Sequence, residues 1–284
     1  MALRDAWFIN GVLYNSEVWG SYAQKHIDSL EVIDHMILKT ILGAQAKVPV
    51  ETLYQETGAM SVRNVISVRR MLYLKTILDR EEHEITKQVY VAMKTKPYKG
   101  DWYNLIKEDF EKIGLEINEE TIKATDKDTF KKLIKSSVWN VFFQELQAKK
   151  LTHTKVKDIS YSGSRAPEKY LTNPKFDNNM RSLLFNLRSQ SVNEFQNNFH
   201  TMYGKEPPCR ICLTDIDSQE HSLACFRIKQ EYTVTEVNML NSVKYSDIYG
   251  NESQQLMVTK MFQRILEIRQ FLLDKTPATR PTRA

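Results

Sequence analysis

Cysteine and glycine are scarce in this sequence, and long apolar runs are missing from it. Three cysteines occur among 284 residues, an odd and small number that excludes the disulfide framework of a small secreted domain. No apolar stretch approaches the about 18 residues that a membrane span requires. The first residues do not follow the basic, apolar, small-residue order of a secretory signal. No membrane partner is therefore expected, and the expected location is intracellular. Glycine at 9 and proline at 8 leave long unbroken stretches with helical spacing, so the predicted fold is mainly α. No Asp-Asp pair, phosphate-cradling glycine loop or nucleophile-base pair stands out, which argues against an autonomous enzyme. His26, His35, His83, His153 and His200 are scattered and read as packing or surface residues.

What is present is a sizeable apolar fraction and a mild excess of positive charge. A 42% hydrophobic content is enough for a real core, and 40 Lys plus Arg against 35 Asp plus Glu leaves a formal charge of +5. That balance suits a polyanionic partner without requiring one.

All three cysteines fall in one short span with a single histidine among them. Cys209, Cys212, His221 and Cys225 have the spacing C-x2-C-x8-H-x3-C. The two-residue gap folds both thiolates toward one point, and His-x-x-x-Cys separates the second pair by about one helical turn, so the four ligands can close a tetrahedron around a structural Zn2+. Such a closed site keeps no position for a catalytic water. The competing reading is three thiols that merely lie close together. Whether the metal serves nucleic-acid contact or only the local fold stays open at this level.

Along the chain, residues 3–20 are apolar around much of a helix, with Trp7, Leu13, Tyr14 and Trp19 as bulky anchors that want burial. Ile27, Leu30, Ile33, Ile37 and Ile41 form a stripe that Gly43 ends. A short helix runs from Pro49 to Gly58, and Ser61 caps a longer one to about Arg80, from which Arg63, Arg69 and Arg70 project. Asp101, Asn118 or Thr121, Asp177 and Asn251 are further candidate caps. Residues 128–150 make the most basic helix. Leu256, Met257, Met261, Ile265, Ile268 and Leu272 line a last helix, before a tail over 276–284 expected to be disordered.

Two stretches carry a resemblance. The run from Leu3-Arg4 to Asn15-Ser16-Glu17-Val18-Trp19, then Leu30-Glu31-x-x-Asp34, Leu53-Tyr54-x-Glu56-x-Gly58 and Arg69-Arg70-x-Leu72-Tyr73-Leu74, resembles the helical thumb that follows the catalytic palm in non-LTR retrotransposon reverse transcriptases. Arg181-x-x-Leu184-Phe185-x-Leu187-Arg188, followed by the Cys-Cys-His-Cys set, is similar to the segment and CCHC zinc knuckle farther downstream in that family. The two stretches together cover about half of the chain. The resemblance implies a C-terminal portion of such a protein, or a free-standing descendant, in a nuclear or cytoplasmic ribonucleoprotein. Its partners would be RNA, DNA or both, together with an upstream palm. The family's aromatic-x-Asp-Asp hairpin is absent, and Phe226–Ala284 holds no Pro-Asp step or spaced acid-lysine set of a restriction-like nuclease. Neither catalytic centre is expected.

The expected organisation is a thumb-like helical bundle over 1–95, a basic helical region over 96–151 and a linker over 152–178. A helix and zinc knuckle over 179–230 and a C-terminal helix and tail over 231–284 follow. Candidate phosphate contacts are Arg63, Arg69, Arg70, Lys131, Lys132, Lys135, Lys155, Lys157, Arg165, Lys205 and Arg210. Each also reads as part of a solvated face. The alternative function is a zinc-stabilised helical scaffold for protein partners, and the exposed aromatic residues of a thumb without its palm would favour self-association.

Overall fold

The computed structural model describes residues 4–19, 24–45, 48–98, 100–153, 156–157, 159, 161, 163–195 and 207–275. Helices dominate these residues and no strand forms among them, as expected. The chain divides into two compact units. The first comprises Met1–Leu38, Leu53–Thr152 and Tyr161–Pro167, and the second Lys39–Thr52, His153–Ser160 and Glu168–Ala284.

The first unit opens with a π-helical stretch, Arg4–Val12, and a short helix α1 (Ser16–Trp19). Most of α2 (Gln24–Leu42), the end of α3 (Val50–Thr57), α4 (Val62–Leu78), α5 (Ile85–Thr95), α6 (Trp102–Lys112), α7 (Glu119–Ala124) and α8 (Lys127–Lys150) complete it. Helix α4 packs against α1, α5, α6, α7 and α8, so the 1–95 and 96–151 stretches share one core. Ser61 sets its start, its hydroxyl accepting from the Asn64 N–H at 3.3 Å. Because neighbours surround it, α4 buries Val62, Ile66, Met71, Leu74 and Leu78 and also Arg70 and Lys75. The Lys75 ammonium donates to the carbonyls of Ile122 (3.0 Å) and Lys123 (3.3 Å), placing a cation on the C-terminal end of α7, where the helix dipole favours it.

Two hydrophobic expectations change. In the N-terminal stretch the buried anchors are Phe8, Ile9 and Leu13, which pack on Ile27, Val62 and Ile66, whereas Trp7 is 78% and Tyr14 71% exposed. The side chain of Trp19 is outside the described set. In α2 the expected Ile27, Leu30 and Ile37 pack on this core, but Ile33 and Ile41 are exposed and the buried positions also take in Asp34, Leu38 and Leu42. Asp34 faces inward because it pairs with Arg4, an ion pair that hydrophobic periodicity does not register.

Residues 152–178, expected as a linker, are shared between the units and bury Val156, Ile159, Tyr170 and Phe176. In the first unit the Trp139 indole donates to the Gly163 carbonyl at 2.8 Å, and the Tyr161 hydroxyl donates to Glu56 at 3.1 Å. Gly58 adopts a left-handed φ of +63°, and a Cβ there would lie 2.3 Å from the Arg165 carbonyl oxygen. Gly58→Ala therefore meets both strain and a backbone clash. It is expected to lower the stability of this unit by about 1–3 kcal/mol, read as a shift in the urea midpoint at constant slope.

The second unit contains α9 (Lys169–Thr172), α10 (Asn178–Arg188), α11 (Gln219–Ala224), α12 (Phe226–Lys229), α13 (Val234–Ser242), a 3-10 turn (Tyr245–Tyr249) and α14 (Glu252–Lys275). Helix α14 packs against α9, α10, α12 and the 3-10 turn. Its buried Val258, Met261, Phe262, Ile265 and Ile268 repeat at helical spacing, while Met257, expected on that face, is exposed. Asp177 caps α10 through the Met180 N–H at 2.8 Å, and Asn251 accepts from the Gln254 N–H at 3.1 Å. Gly43, left-handed at φ +58°, ends α2 as expected. Residues 276–284, expected to be disordered, lie outside the described residues. No described helix is long and apolar enough to cross a membrane.

Candidate metal centre

The second unit brings Cys209, Cys212, His221 and Cys225 together, with their ligand atoms all within 4.8 Å of one another. This cluster can hold a metal ion. Its first half is a tight hairpin-like turn. Pro208 bridges Ile216 in antiparallel fashion, the Asp217 N–H donates to the Pro207 carbonyl at 2.8 Å, and the Leu213 N–H donates to the Cys209 carbonyl at 2.8 Å. Leu213 sits at φ +62°, unusual for a residue with a Cβ. The second half is α11. Ser218 caps it by accepting from the His221 N–H at 3.0 Å, and Cys225 closes it by donating its N–H to the His221 carbonyl at 2.8 Å. One helical turn thus sets the imidazole and the third sulfur on the same side, facing the hairpin sulfurs.

The surroundings orient the donors. His221 Nε2 lies 3.2 Å from Cys212 Sγ, and its Nδ1 lies 3.2 Å from an Asp215 carboxylate oxygen, which fixes the ring with Nε2 toward the sulfurs. A carboxylate on the far nitrogen is the usual partner of a ligating imidazole. The Thr214 hydroxyl donates to Cys212 Sγ at 3.1 Å. All three cysteines are buried and none is in a disulfide. Contact with Cys225 and the N–H groups of Cys212 and Ile211 draws the Cys209 thiol well below its ordinary range, while contact with Cys209, together with burial, pushes Cys225 up. Burial opposes the charged form of His221, but the Cys212 and Cys209 sulfurs outweigh it and raise its pKa. Neighbouring sulfurs that cannot all ionise alone are a site that a divalent cation relieves.

Behind the cluster lies an anchor that sequence reading missed. Asp217, just before the Ser218 cap, is fully buried against Arg269 of α14, itself 1% exposed. Arg269 also donates to the Glu194 carbonyl at 3.0 Å and stacks 4.9 Å above the Phe195 ring. The Tyr245 hydroxyl donates to Gln219 of α11 at 2.7 Å. The Asp217 to Arg269 pairing joins positions 52 residues apart, so no local pattern announces it.

The cationic candidates separate by their partners. Arg70, expected to project, is buried and paired with Asp109 at 2.7 Å. Arg63 pairs with Asp28 at 2.8 Å, and Arg210 donates to the Glu194 carbonyl at 2.6 Å and lies 3.6 Å from Asp217. Lys132 and Lys157 are exposed, and Lys155 and Lys205 lie outside the described residues. Arg69, Lys131, Lys135 and Arg165 line one cleft of the first unit, beside Arg4, which had not been a candidate. In a comparison with known proteins, the chain matches no family model, no curated protein and no solved structure.

Proposed function

We propose that the chain is a nucleic-acid-binding module, a thumb-like helical unit followed by a zinc knuckle, of the kind its two stretches resemble in non-LTR retrotransposon reverse transcriptases. The observation that carries this reading is the convergence of three sulfurs and one imidazole. Four protein donors suit tetrahedral zinc, in which Zn–S bonds of about 2.3 Å set sulfurs about 3.8 Å apart, and binding would draw the widest pair inward from the present 4.8 Å limit. With every position filled by protein, the zinc is structural and offers no site for a hydrolytic water. The chain would contribute grip on RNA or DNA and leave chemistry to a palm supplied by a partner. The grouped cations of the first unit support a phosphate-dominated contact, whereas the mild net charge of +5 favours the scaffold alternative.

Gel shifts with structured RNA and with duplex DNA at two salt concentrations test this reading. Wild-type binding should fall steeply with added salt, by about tenfold or more between 50 and 200 mM for even a few phosphate contacts, and Cys212→Ser should weaken it further. Absence of salt-sensitive binding to either nucleic acid would abandon the reading in favour of a protein-binding scaffold. That second reading has its own support in the exposed Trp7 and Tyr14 rings, which a partner or a second copy would cover.

A further inference from the structure

The cleft of the first unit measures about 490 Å3, and its charged lining is Arg4, Asp5, Arg69, Lys131, Lys135 and Arg165. Arg4 is neutralised by the buried Asp34, which accepts from it at 2.6 and 2.8 Å, so the excess charge rests on Arg69, Lys131, Lys135 and Arg165. The lining carboxylate, Asp5, is already engaged, because it pairs with Arg4 at 3.1 Å. Arg69 donates to the carbonyls of Ile9 (3.0 Å) and Leu13 and to the Asn10 side chain (3.3 Å), neutral partners that leave its charge uncompensated. The side chains of Lys131, Lys135 and Arg165 make no hydrogen bond or ion pair among the described residues. Burial, and then the charges of Lys131 and Arg165, lower the pKa of the half-buried Lys135.

Lys131 and Arg165 are exposed and Lys135 is half-buried, so solvent screens part of their mutual repulsion, and an anion entering the cleft would relieve the rest. The arrangement is also built rather than incidental. Lys131 and Lys135 share a face of α8 one turn apart. Arg165 is held by the close pass of its backbone over Gly58 and by the tethers of Tyr161 and Gly163. A guanidinium supplies a planar fork and two ammonium groups supply point charges, the set that suits a tetrahedral oxyanion. Val65, Val68 and Leu72 form an apolar wall beside them, and the volume is that of a small-molecule pocket.

We propose that this cleft is a phosphate-binding site, which takes the phosphoryl group of one nucleotide, free or within a strand, on Lys131, Lys135 and Arg165. The site stands on the first unit alone and does not depend on the zinc reading of the second.

Equilibrium titrations of the full chain at fixed ionic strength, with adenosine 5′-monophosphate, inorganic phosphate, adenosine and a 5′-phosphorylated oligonucleotide, test it. Saturable binding by the phosphate-bearing probes and none by adenosine is expected. The Lys131→Gln/Lys135→Gln pair should weaken binding at least tenfold, and Lys149→Gln, exposed on the same helix but outside the cleft lining, should leave it unchanged. Binding by the oligonucleotide but neither small phosphate assigns the source to a strand, and binding by the small phosphates assigns it to free nucleotide; both outcomes need the double variant to lose it. If no phosphate-bearing probe saturates, or if the double variant binds as the wild type does, the site is refuted. Cys212→Ser separates the two proposals, since it should leave adenosine 5′-monophosphate binding intact even where it weakens the gel shift.

Discussion

Purified protein is expected to carry one zinc per chain, and stripping it with a strong chelator should open residues 207–228 while the helices of the first unit stay folded. Structural zinc in small sites contributes about 10–16 kcal/mol of apparent binding free energy near neutral pH, far more than the few local hydrogen bonds of the 207–217 turn supply. Without the ion, buried sulfurs and an imidazole crowd within 4.8 Å of one another, and protonation of the thiols is the remaining way to relieve them. Cys209→Ser and Cys212→Ser should therefore abolish stoichiometric zinc by elemental analysis and raise hydrogen exchange across the hairpin and α11. Protons compete with the metal for thiolate and imidazole, so zinc affinity should fall as pH falls. The Asp217 to Arg269 ion pair limits how far the opening spreads, because it ties the start of α11 to α14 independently of the ion. Full retention of exchange protection in the chelated protein would show that the metal does not hold this loop.

Asp34→Ala should be the most damaging substitution in the first unit, costing about 3–5 kcal/mol, the range for removing one partner of a buried ion pair. Arg4 Nε and Nη2 donate to the two oxygens of Asp34 at 2.6 and 2.8 Å, and Nη2 also donates to the Met60 carbonyl at 2.7 Å. Arg4 and Asp34 are both buried. The Tyr54 hydroxyl donates to Asp34 at 3.2 Å and to Glu31 at 2.9 Å, and its ring packs edge-on against Phe142 of α8 at 5.3 Å. Loss of the carboxylate leaves a buried guanidinium with only Asp5 as a counter-charge and strands the Tyr54 hydroxyl from one acceptor. A urea or thermal melt reads the loss. The double substitution Arg4→Met/Asp34→Leu should be much less costly than the sum of its parts, since it removes the charge that Asp34→Ala would strand. A fully additive cycle would mean that the pair is not coupled as the distances indicate.

The polar residues of the first resembling stretch form the polar frame of the first unit. Arg4, Glu31, Asp34 and Tyr54 form one network, Glu56 holds Tyr161, Gly58 admits the Arg165 backbone, Arg69 closes on the π-helical carbonyls, and Arg70 meets Asp109. Their spacing in sequence was readable, but their partners were not. Taken on α4 alone Arg70 is a projecting cation, and its partner Asp109 lies 39 residues away.

What the amino-acid order determined unaided is whatever closes within a few residues. The caps at Ser61, Asp101, Asn118, Asp177 and Asn251 each satisfy an N–H three positions on, Gly43 and Gly58 end their helices, and one short span carries all four metal donors. Those features rest on bonds whose geometry the local backbone imposes. Only the tertiary structure decided which charges are spent and which remain, turning Asp34 inward, sealing Asp217 against Arg269, and collecting Arg69, Lys131, Lys135 and Arg165 around one cleft. The physical reason is that a charge's state depends on what lies within a few ångströms of it, and the fold brings together residues that the chain holds tens of positions apart.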